Sequence, residues 1–139
     1  MKEDAMNEKE KLISAAKEAA LKAYAPYSRF RVGAAVLSEE GNVYTGVNVE
    51  NRSYGLTVCA ERNAIAHGVA MGMKAIKAVA IYSPDSKDPL PPCGACRQVI
   101  TEFAVPDAVV ICCGSLGDRV ELSVSDLYPM DSLHDLKNI

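Results

Sequence analysis

The sequence contains no tryptophan, and aromatic residues make up only 6% of its 139 residues. A groove that binds single-stranded nucleic acid stacks bases on aromatic side chains, so this composition argues against such a groove. Basic residues are not in excess either, because the net charge is −3. A nucleic-acid-binding protein would normally show a basic face. We therefore expect no nucleic acid among the partners of this protein.

Long apolar stretches are also missing from the sequence. The longest runs fall far short of the roughly 20 residues that a membrane helix needs. The first residues, "MKEDAMNEKEKL", are charged and lack the apolar segment of a secretory signal. We therefore expect a cytoplasmic protein that makes no membrane contact. A chain of 139 residues suits one compact domain, which we predict over 1–139.

Hydrophobic periodicity predicts an α/β fold. The predicted elements are a helix over 8–24 that ends before Pro26, strands over 31–37 and 43–49 that form an antiparallel hairpin, a helix over 59–71, a strand over 75–83, a helix over 94–104, and strands over 108–114 and 119–124. The loop between the last two strands has about four residues and is too short for a crossover helix, so these strands should be antiparallel. We expect a three-layer α-β-α sandwich around a mixed five-stranded sheet.

The cysteines offer the clearest chemical signal. There are five of them, an odd number that makes a poor disulfide framework. Cys93 and Cys96 form a C-x-x-C pair on one face of a predicted helix start. Cys59 also lies at a predicted helix start, where the partial positive charge of the helix favours a thiolate. Three sulfur ligands leave one position free on a tetrahedral zinc ion, which is typical of a catalytic site.

Two charged residues, Glu61 and Arg62, lie two and three positions after Cys59. Glu61 is well placed to take a proton from a zinc-activated water and return it to a leaving group. Three thiolates on Zn²⁺ give a net charge of about −1, which would weaken the acidification of that water. Arg62 and Arg97 both lie beside the cysteine clusters and could offset the charge; we favour Arg62.

The cysteines and His67 also have alternative interpretations. A redox C-x-x-C pair is a weaker alternative, because thioredoxin-like proteins carry that motif early in the chain. Cys112 and Cys113 are neighbours on a predicted strand and point to opposite faces, so they cannot share one metal ion and should pack in the core. His67 is expected to be a helix-face residue rather than a ligand.

Three segments, taken together, resemble a known family. "CAE" followed by "PCGAC" resembles the signature of zinc nucleobase deaminases. "YAPYSRFRVGAAVL", "GNVYTGVNVENRSYGLTVCAERNAI" and "PCGACRQVITEF" together resemble the small, homotetrameric, three-cysteine type of cytidine deaminase, over residues from about 10 to 129. The resemblance implies zinc-dependent hydrolysis of cytidine and 2′-deoxycytidine to uridine and 2′-deoxyuridine, with release of ammonia, in pyrimidine salvage.

The resemblance also implies roles for individual residues. One zinc ion per subunit would be held by Cys59, Cys93 and Cys96, with Glu61 as the proton carrier and Arg62 as the charge balance. The implied substrate-binding residues are Phe30, Asn48, Glu50 and Ala60. Asn48 and Glu50 are two apart on a predicted strand and should face the same way. The resemblance further implies a homotetramer whose active sites lie near subunit contacts, at the loop 51–57.

One segment departs from the family pattern. Members often end in "LLPxxF", whose aromatic closes the pocket, whereas this tail reads "LYPMDSLHDL" and has Ser132 at that place. Either Leu133 or Tyr128 substitutes for the aromatic, or the pocket is more open. Three alternatives to a cytidine deaminase are a deaminase of the same fold for a cytosine-bearing antibiotic, one for polynucleotides, and a zinc-binding module without activity.

Overall fold

The computed structural model describes residues 2–138. The helices are α1 (Lys2–Ala20), α2 (Ala60–Ala70), α3 (Gly94–Phe103) and α4 (Val124–Leu127), and the strands are β1 (Gly33–Ser38), β2 (Val43–Val47), β3 (Ile76–Tyr82), β4 (Ala104–Cys113) and β5 (Arg119–Ser123). Short 3₁₀ turns cover Tyr54–Leu56 and His134–Asn138. No helix in this part of the chain combines the length and the apolarity needed to cross a membrane.

The strands form one five-stranded sheet in the order β2-β1-β3-β4-β5. Strand β1 pairs antiparallel with both β2 and β3, which confirms the predicted hairpin. Strands β3 and β4 are parallel, as expected when a helix connects them, and β4 and β5 are antiparallel. The predicted mixed sheet with antiparallel last strands is therefore confirmed.

Alternate residues of each strand pack on opposite faces of the sheet. Helix α1 covers one face through a cluster that contains Leu12, Ala35 and Cys113. Helices α2 and α3 cover the other face around Ala64, Ile100 and Cys112. The two helical layers make the three-layer sandwich that the sequence predicted. Cys112 and Cys113 are both buried on opposite faces, so their interpretation as core residues is confirmed.

Helix α1 ends at Ala20, four residues earlier than the hydrophobic spacing predicts. The reason is a tertiary contact, because the backbone of Tyr24 pairs with the chain that follows β2. The Tyr24 amide donates to the Asn48 carbonyl at 3.0 Å, and the Glu50 amide donates to the Tyr24 carbonyl at 2.9 Å. Tyr24 therefore leaves the helix to form a short bridge beside the sheet.

Strand β4 begins at Ala104, four residues earlier than predicted, and contains Pro106. Its register against β3 is interrupted between Ile76 and Ala78, directly opposite this region. A proline lacks an amide donor and is tolerated in a sheet at such irregular positions. The proline that ends α3 in the prediction therefore lies inside the strand that follows.

Strand β2 and helix α2 are in direct backbone contact at Gly46. A Cβ atom on Gly46 would lie 2.2 Å from the Ala64 nitrogen and 2.5 Å from the Ala60 carbonyl oxygen. Real atoms do not approach this closely, so any side chain at position 46 would push the helix away from the strand. Glycine at this position fixes how closely the start of α2 lies against the sheet.

We predict that Gly46→Ala lowers the free energy of unfolding by about 2 kcal/mol or more, since overpacking against rigid backbone costs this much. Urea unfolding followed by circular dichroism measures the effect. Gly55→Ala is the matched control, because no atom lies within 4 Å of a Cβ built there. Equal stability of the two variants would contradict the close contact of β2 with α2.

Candidate active site

Three of the five cysteines meet at the N-terminal ends of α2 and α3. The sulfur atoms of Cys59, Cys93 and Cys96 all lie within 4.8 Å of one another. Among the described residues, this is the one group of at least three His, Cys, Asp or Glu side chains with metal-ligand spacing. His67 lies apart from it and bonds the Thr45 carbonyl through Nδ1 at 3.0 Å. The structure thus brings together the three cysteines that the sequence singled out.

The local sequence explains why these sulfurs are available. Cys59 and Cys93 are the N-cap residues of α2 and α3, with extended backbone, and neither side chain caps its helix by a hydrogen bond. A serine, aspartate or asparagine at an N-cap would turn its oxygen back to the helix amides. Cysteine does not, so both sulfurs can point to a shared partner between the two helices.

The spacing of the sulfurs suits a zinc ion. Cys59 Sγ and Cys93 Sγ are 3.8 Å apart. Two sulfurs on a tetrahedral zinc at the usual Zn–S distance of about 2.3 Å would be about 3.8 Å apart. Cys96 is buried, Cys59 is half-buried and Cys93 is exposed, so the cluster extends from the core to the surface. Three soft sulfur donors at this spacing fit zinc well.

The charge state of the sulfurs depends on hydrogen bonds. A hydrogen bond with Cys96, and then contact with the Arg62 guanidinium, lower the pKa of Cys59 to about 5. The same bond with Cys59, together with burial, raises the pKa of Cys96. Without metal, one thiolate therefore receives a hydrogen bond from a neighbouring thiol. A cation that replaces the shared proton would stabilise all three sulfurs as thiolates.

Arg62 is the arginine that contacts the cysteines. Its Nη2 donates to Cys59 Sγ at 3.5 Å, and its Nε is buried without a hydrogen-bond partner. Arg97 is used elsewhere, because its Nε donates to the Pro92 carbonyl at 2.9 Å and its Nη1 to the Leu127 carbonyl at 3.3 Å. This geometry favours Arg62 over Arg97 as the residue that offsets the sulfur charge.

Glu61 lies in the first turn of α2, two residues beyond Cys59, and its exposed fraction is only 5%. Burial raises the pKa of its carboxyl to about 7 in the metal-free site. A carboxyl group with a pKa near neutrality can both accept and donate a proton under ordinary conditions. The carboxyl of Glu61 is thus suited to acid–base work beside the sulfurs.

Asn48 holds the chain segment that contains Phe30. Its Oδ1 accepts from the Val32 amide at 2.8 Å, and its Nδ2 donates to the Phe30 carbonyl at 2.8 Å. Asn48 is buried at the end of β2, and Phe30 is half-buried. The predicted site residues Asn48 and Phe30 are therefore linked directly.

Glu50 anchors the loop just before Phe30. Its Oε1 accepts from the Tyr27 amide at 3.0 Å and the Ser28 amide at 3.1 Å, and its Oε2 accepts from the Ser28 hydroxyl. The bond from the Ser28 hydroxyl is the main reason that the pKa of Glu50 is lowered. Sequence reasoning missed Ser28, because a residue in an irregular loop has no periodicity to mark it.

A pocket of about 350 Å³ opens beside Glu50. Its lining is mixed polar and aromatic, from Tyr27, Ser28, Glu50, Tyr54 and Thr57. The fourth predicted substrate residue, Ala60, is fully buried as the first residue of α2. The substrate-binding roles of Phe30, Asn48, Glu50 and Ala60 stay predictions.

The C-terminal tail packs along α3. The Tyr128 hydroxyl donates to Gln98 Oε1, and Gln98 Nε2 donates to Asp131 Oδ1 at 3.4 Å. Ser132 and Leu133 are exposed. Tyr128 is therefore hydrogen-bonded to α3. The three alternatives for the family's pocket aromatic, which are Leu133, Tyr128 or a more open pocket, stay predictions.

The fold and the three-cysteine site together describe a zinc-site α/β protein. A family model described as "Cytidine and deoxycytidylate deaminase zinc-binding region" matches residues 6–113. The chain therefore belongs to the cytidine and deoxycytidylate deaminase family. The match and the three-cysteine cluster identify zinc as the cofactor, with one ion per chain.

Individual relatives are cytidine deaminases by name. The chain is 47% identical over 122 residues to a cytidine deaminase of Halalkalibacterium halodurans, covering 88% of this chain and 92% of the relative. It is 47% identical over 120 residues to one of Sporosarcina psychrophila, covering 86% and 88%. The crystal structure of cytidine deaminase from Burkholderia pseudomallei superposes with a TM-score of 0.82 and 46% identity, covering 86% of this chain and 95% of that one. The resemblance seen in the sequence is confirmed.

Arg62 should control the reactivity of Cys59 in the zinc-free protein. Because Arg62 lowers the pKa of Cys59, Arg62→Gln should raise it and reduce the thiolate fraction at about pH 6. Alkylation of Cys59 by iodoacetamide should then slow roughly tenfold for each pKa unit gained, and recover at about pH 9. Mass spectrometry of the Cys59 peptide measures the rate.

Arg97→Gln is the control for this experiment, since Arg97 bonds the Pro92 and Leu127 carbonyls. It should leave the pH profile of Cys59 alkylation unchanged. If Arg62→Gln and Arg97→Gln give the same profile as the unaltered protein, Arg62 does not offset the sulfur charge.

Proposed function

We propose that this protein is a cytidine deaminase that hydrolyses cytidine and 2′-deoxycytidine to uridine and 2′-deoxyuridine and releases ammonia. The observation that carries the proposal is a buried carboxyl, Glu61, at the start of the same helix that Cys59 caps. Cys59, Cys93 and Cys96 are the proposed ligands of the zinc ion. When bound, zinc supplies Lewis-acid activation of a water molecule.

Glu61 is the proposed proton carrier of the reaction. It takes a proton from water as the new C4–O bond forms, and it delivers a proton to N3 of the pyrimidine. Glu61 then moves the proton of the new C4 hydroxyl to the amino group; the C4–N bond breaks as the C4=O bond forms, and ammonia leaves. A pKa of about 7 suits both directions of transfer. Arg62 balances the charge of the sulfurs throughout.

The proposed sugar-binding residues keep hydrogen-bonding capacity for a ligand. The Asn48 amide uses one acceptor position for Val32 and one hydrogen for Phe30, which leaves one of each. A carboxylate has about four acceptor positions, and Glu50 uses three. Hydroxyl groups of a ribose match these free positions. The remaining capacity supports Asn48 and Glu50 as ribose ligands.

Phe30 and Ala60 are the proposed contacts of the base. The Phe30 ring would pack on the pyrimidine, an interaction of about 1 kcal/mol. Ala60 is the first residue of α2, and the first amides of a helix have no partner within it. The Ala60 amide is thus free to donate to a polar atom of the base.

The wider setting of the activity is also a proposal. A free nucleoside is the proposed substrate, since the net charge of −3 offers little attraction to a polynucleotide. We place the activity in pyrimidine salvage and in the cytoplasm, and treat residues 1–139 as one cytidine deaminase domain. These proposals are supported by the resemblance to cytidine deaminases and by the net charge of the chain.

Glu61→Gln tests the assignment of the proton carrier. The amide keeps the size of the side chain but cannot carry a proton, so kcat/KM for cytidine should fall by at least about 10²–10⁴-fold. Zinc content should remain one per chain, because Glu61 is not a proposed ligand. Ultraviolet assay of cytidine and metal analysis of the same sample measure both.

Glu40→Gln is the matched control for that experiment, because Glu40 lies exposed in the turn between β1 and β2. It should keep full activity and full zinc content. The proposed role of Glu61 would be wrong if Glu61→Gln retained zinc and still turned over cytidine at the rate of the control.

We also propose a homotetramer. Two large apolar residues of the loop 51–57 are exposed, Tyr54 at 76% and Leu56 at 67%, and Tyr54 lines the pocket beside Glu50. Exposed apolar groups that adjoin a pocket are typical of a protein–protein contact. Association through this loop would place active sites near the subunit interface.

Light scattering after size exclusion tests the assembly. Four copies of a 14.9 kDa chain give about 60 kDa. Leu56→Lys should reduce the mass by placing a charge in the contact, whereas Leu21→Lys, at a residue of 66% exposure, should not. A 14.9 kDa species at working concentration in the unaltered protein would contradict the proposal.

A further inference from the structure

Arg31 and Asp85 form an ion pair with three contacts. Arg31 Nε donates to Asp85 Oδ2 at 3.0 Å, and Arg31 Nη2 donates to Asp85 Oδ1 at 3.0 Å. The backbone amide of Arg31 also donates to Asp85 Oδ2, at 2.9 Å. Pairing with Arg31 lowers the pKa of Asp85 to about 2, so the carboxylate is charged at neutral pH. An ion pair with both a forked contact and a backbone contact fixes geometry far better than a single one.

The pair lies where the regular sheet ends. At this end of the sheet the last paired residue of β1 is Gly33, which lies opposite Val47 of β2 and Tyr82 of β3. Residues 30–32 extend beyond that point, where the Asn48 amide still donates to the Val32 carbonyl at 3.2 Å. The side chains of Asn48 and Asp85 take over the pairing, with Asn48 bonded to Phe30 and Val32, and Asp85 bonded to the Arg31 amide between them.

Asp85 is itself held on a loop that leads to the cysteine cluster. Its amide donates to Ser83 Oγ at 3.1 Å, and Ser83 is fully buried at the end of β3. The same loop runs on to Cys93 at the start of α3. Asp85 therefore connects the segment around Phe30 with the loop that supplies a sulfur ligand.

We propose that Asp85 is a positioning residue for substrate binding, acting through Arg31 to hold Phe30 in register with the metal site. The inference rests on the proposed function and adds to it a residue outside the deaminase motifs. Asp85 does not touch the reacting atoms in this scheme. Asn48 bonds to Phe30 and Val32, and Asp85 bonds to Arg31 between them. Asp85 therefore limits the movement of the segment that contains Phe30.

Kinetics of the zinc-loaded enzyme test the role. Asp85→Ala should raise KM for cytidine about 3- to 10-fold, the effect of losing a partly exposed ion pair and a backbone hydrogen bond. The kcat per zinc should stay within about twofold, because the proton carrier is not changed. Asp85→Asn can still accept from the Arg31 amide and should give a smaller rise in KM.

Lys77→Ala is the matched control, since Lys77 forms an ion pair with Glu8 and its side chain is 42% exposed, against 41% for Arg31. That pair lies at the opposite end of β3. The control should change neither KM nor kcat. An Asp85→Ala enzyme with unchanged KM would overturn the proposal, as would a fall in kcat and zinc content at constant KM, which would show only a loss of folded sites.

Hydrogen exchange of the peptide over 27–34 provides a readout that does not depend on activity. The amides of this peptide should exchange faster in Asp85→Ala and at the original rate in Lys77→Ala. Unchanged exchange would overturn the positioning role. If the unaltered enzyme fails to turn over cytidine, the proposed function fails, whereas the exchange result still decides whether Asp85 orders this segment.

Discussion

Helices α2 and α3 begin at the same end of the sheet, and the structure of the site depends on the close approach of their N-termini. Each helix is capped by a cysteine that makes no capping bond, so sulfurs 34 residues apart in sequence lie 3.8 Å from each other. The partial positive charge of both helix ends favours the thiolate form. The close backbone contact between Gly46 and α2, and the covering of the sheet by α2 and α3, keep the two ends together.

This convergence also sets the electrostatics of the residues around it. Glu61 follows Cys59 by two positions, so it enters the protein interior with the first turn of the helix, and burial raises the pKa of its carboxyl to about 7. Arg62 is the next residue and reaches back to Cys59. One helical turn therefore supplies a sulfur, a buried carboxyl and a positive charge. Asn48 and Glu50, which follow β2, order the segment that contains Phe30 through hydrogen bonds.

The sequence predicts local features of this site and misses those that depend on distant contacts. The sequence itself shows the spacing of the cysteines, the glutamate near Cys59 and the strands of the sheet. The early end of α1 was missed because Tyr24 pairs with Asn48 and Glu50, which no local pattern announces. Ser28 and Asp85 were missed for the same reason, since each bonds to a loop 22 or 54 residues away. The sequence predicts the motif residues because their chemistry is specific. It does not predict Ser28 and Asp85, because their contacts lie far apart in sequence.

The most direct test of zinc-dependent cytidine deamination is an ultraviolet assay of the unaltered protein. The assay uses free cytidine and a cytosine-containing oligonucleotide, with metal analysis of the same sample. We expect one zinc per chain, conversion of cytidine to uridine with release of ammonia, and no conversion of the oligonucleotide. Turnover of the oligonucleotide alone, or turnover of cytidine that is independent of zinc content, would contradict it.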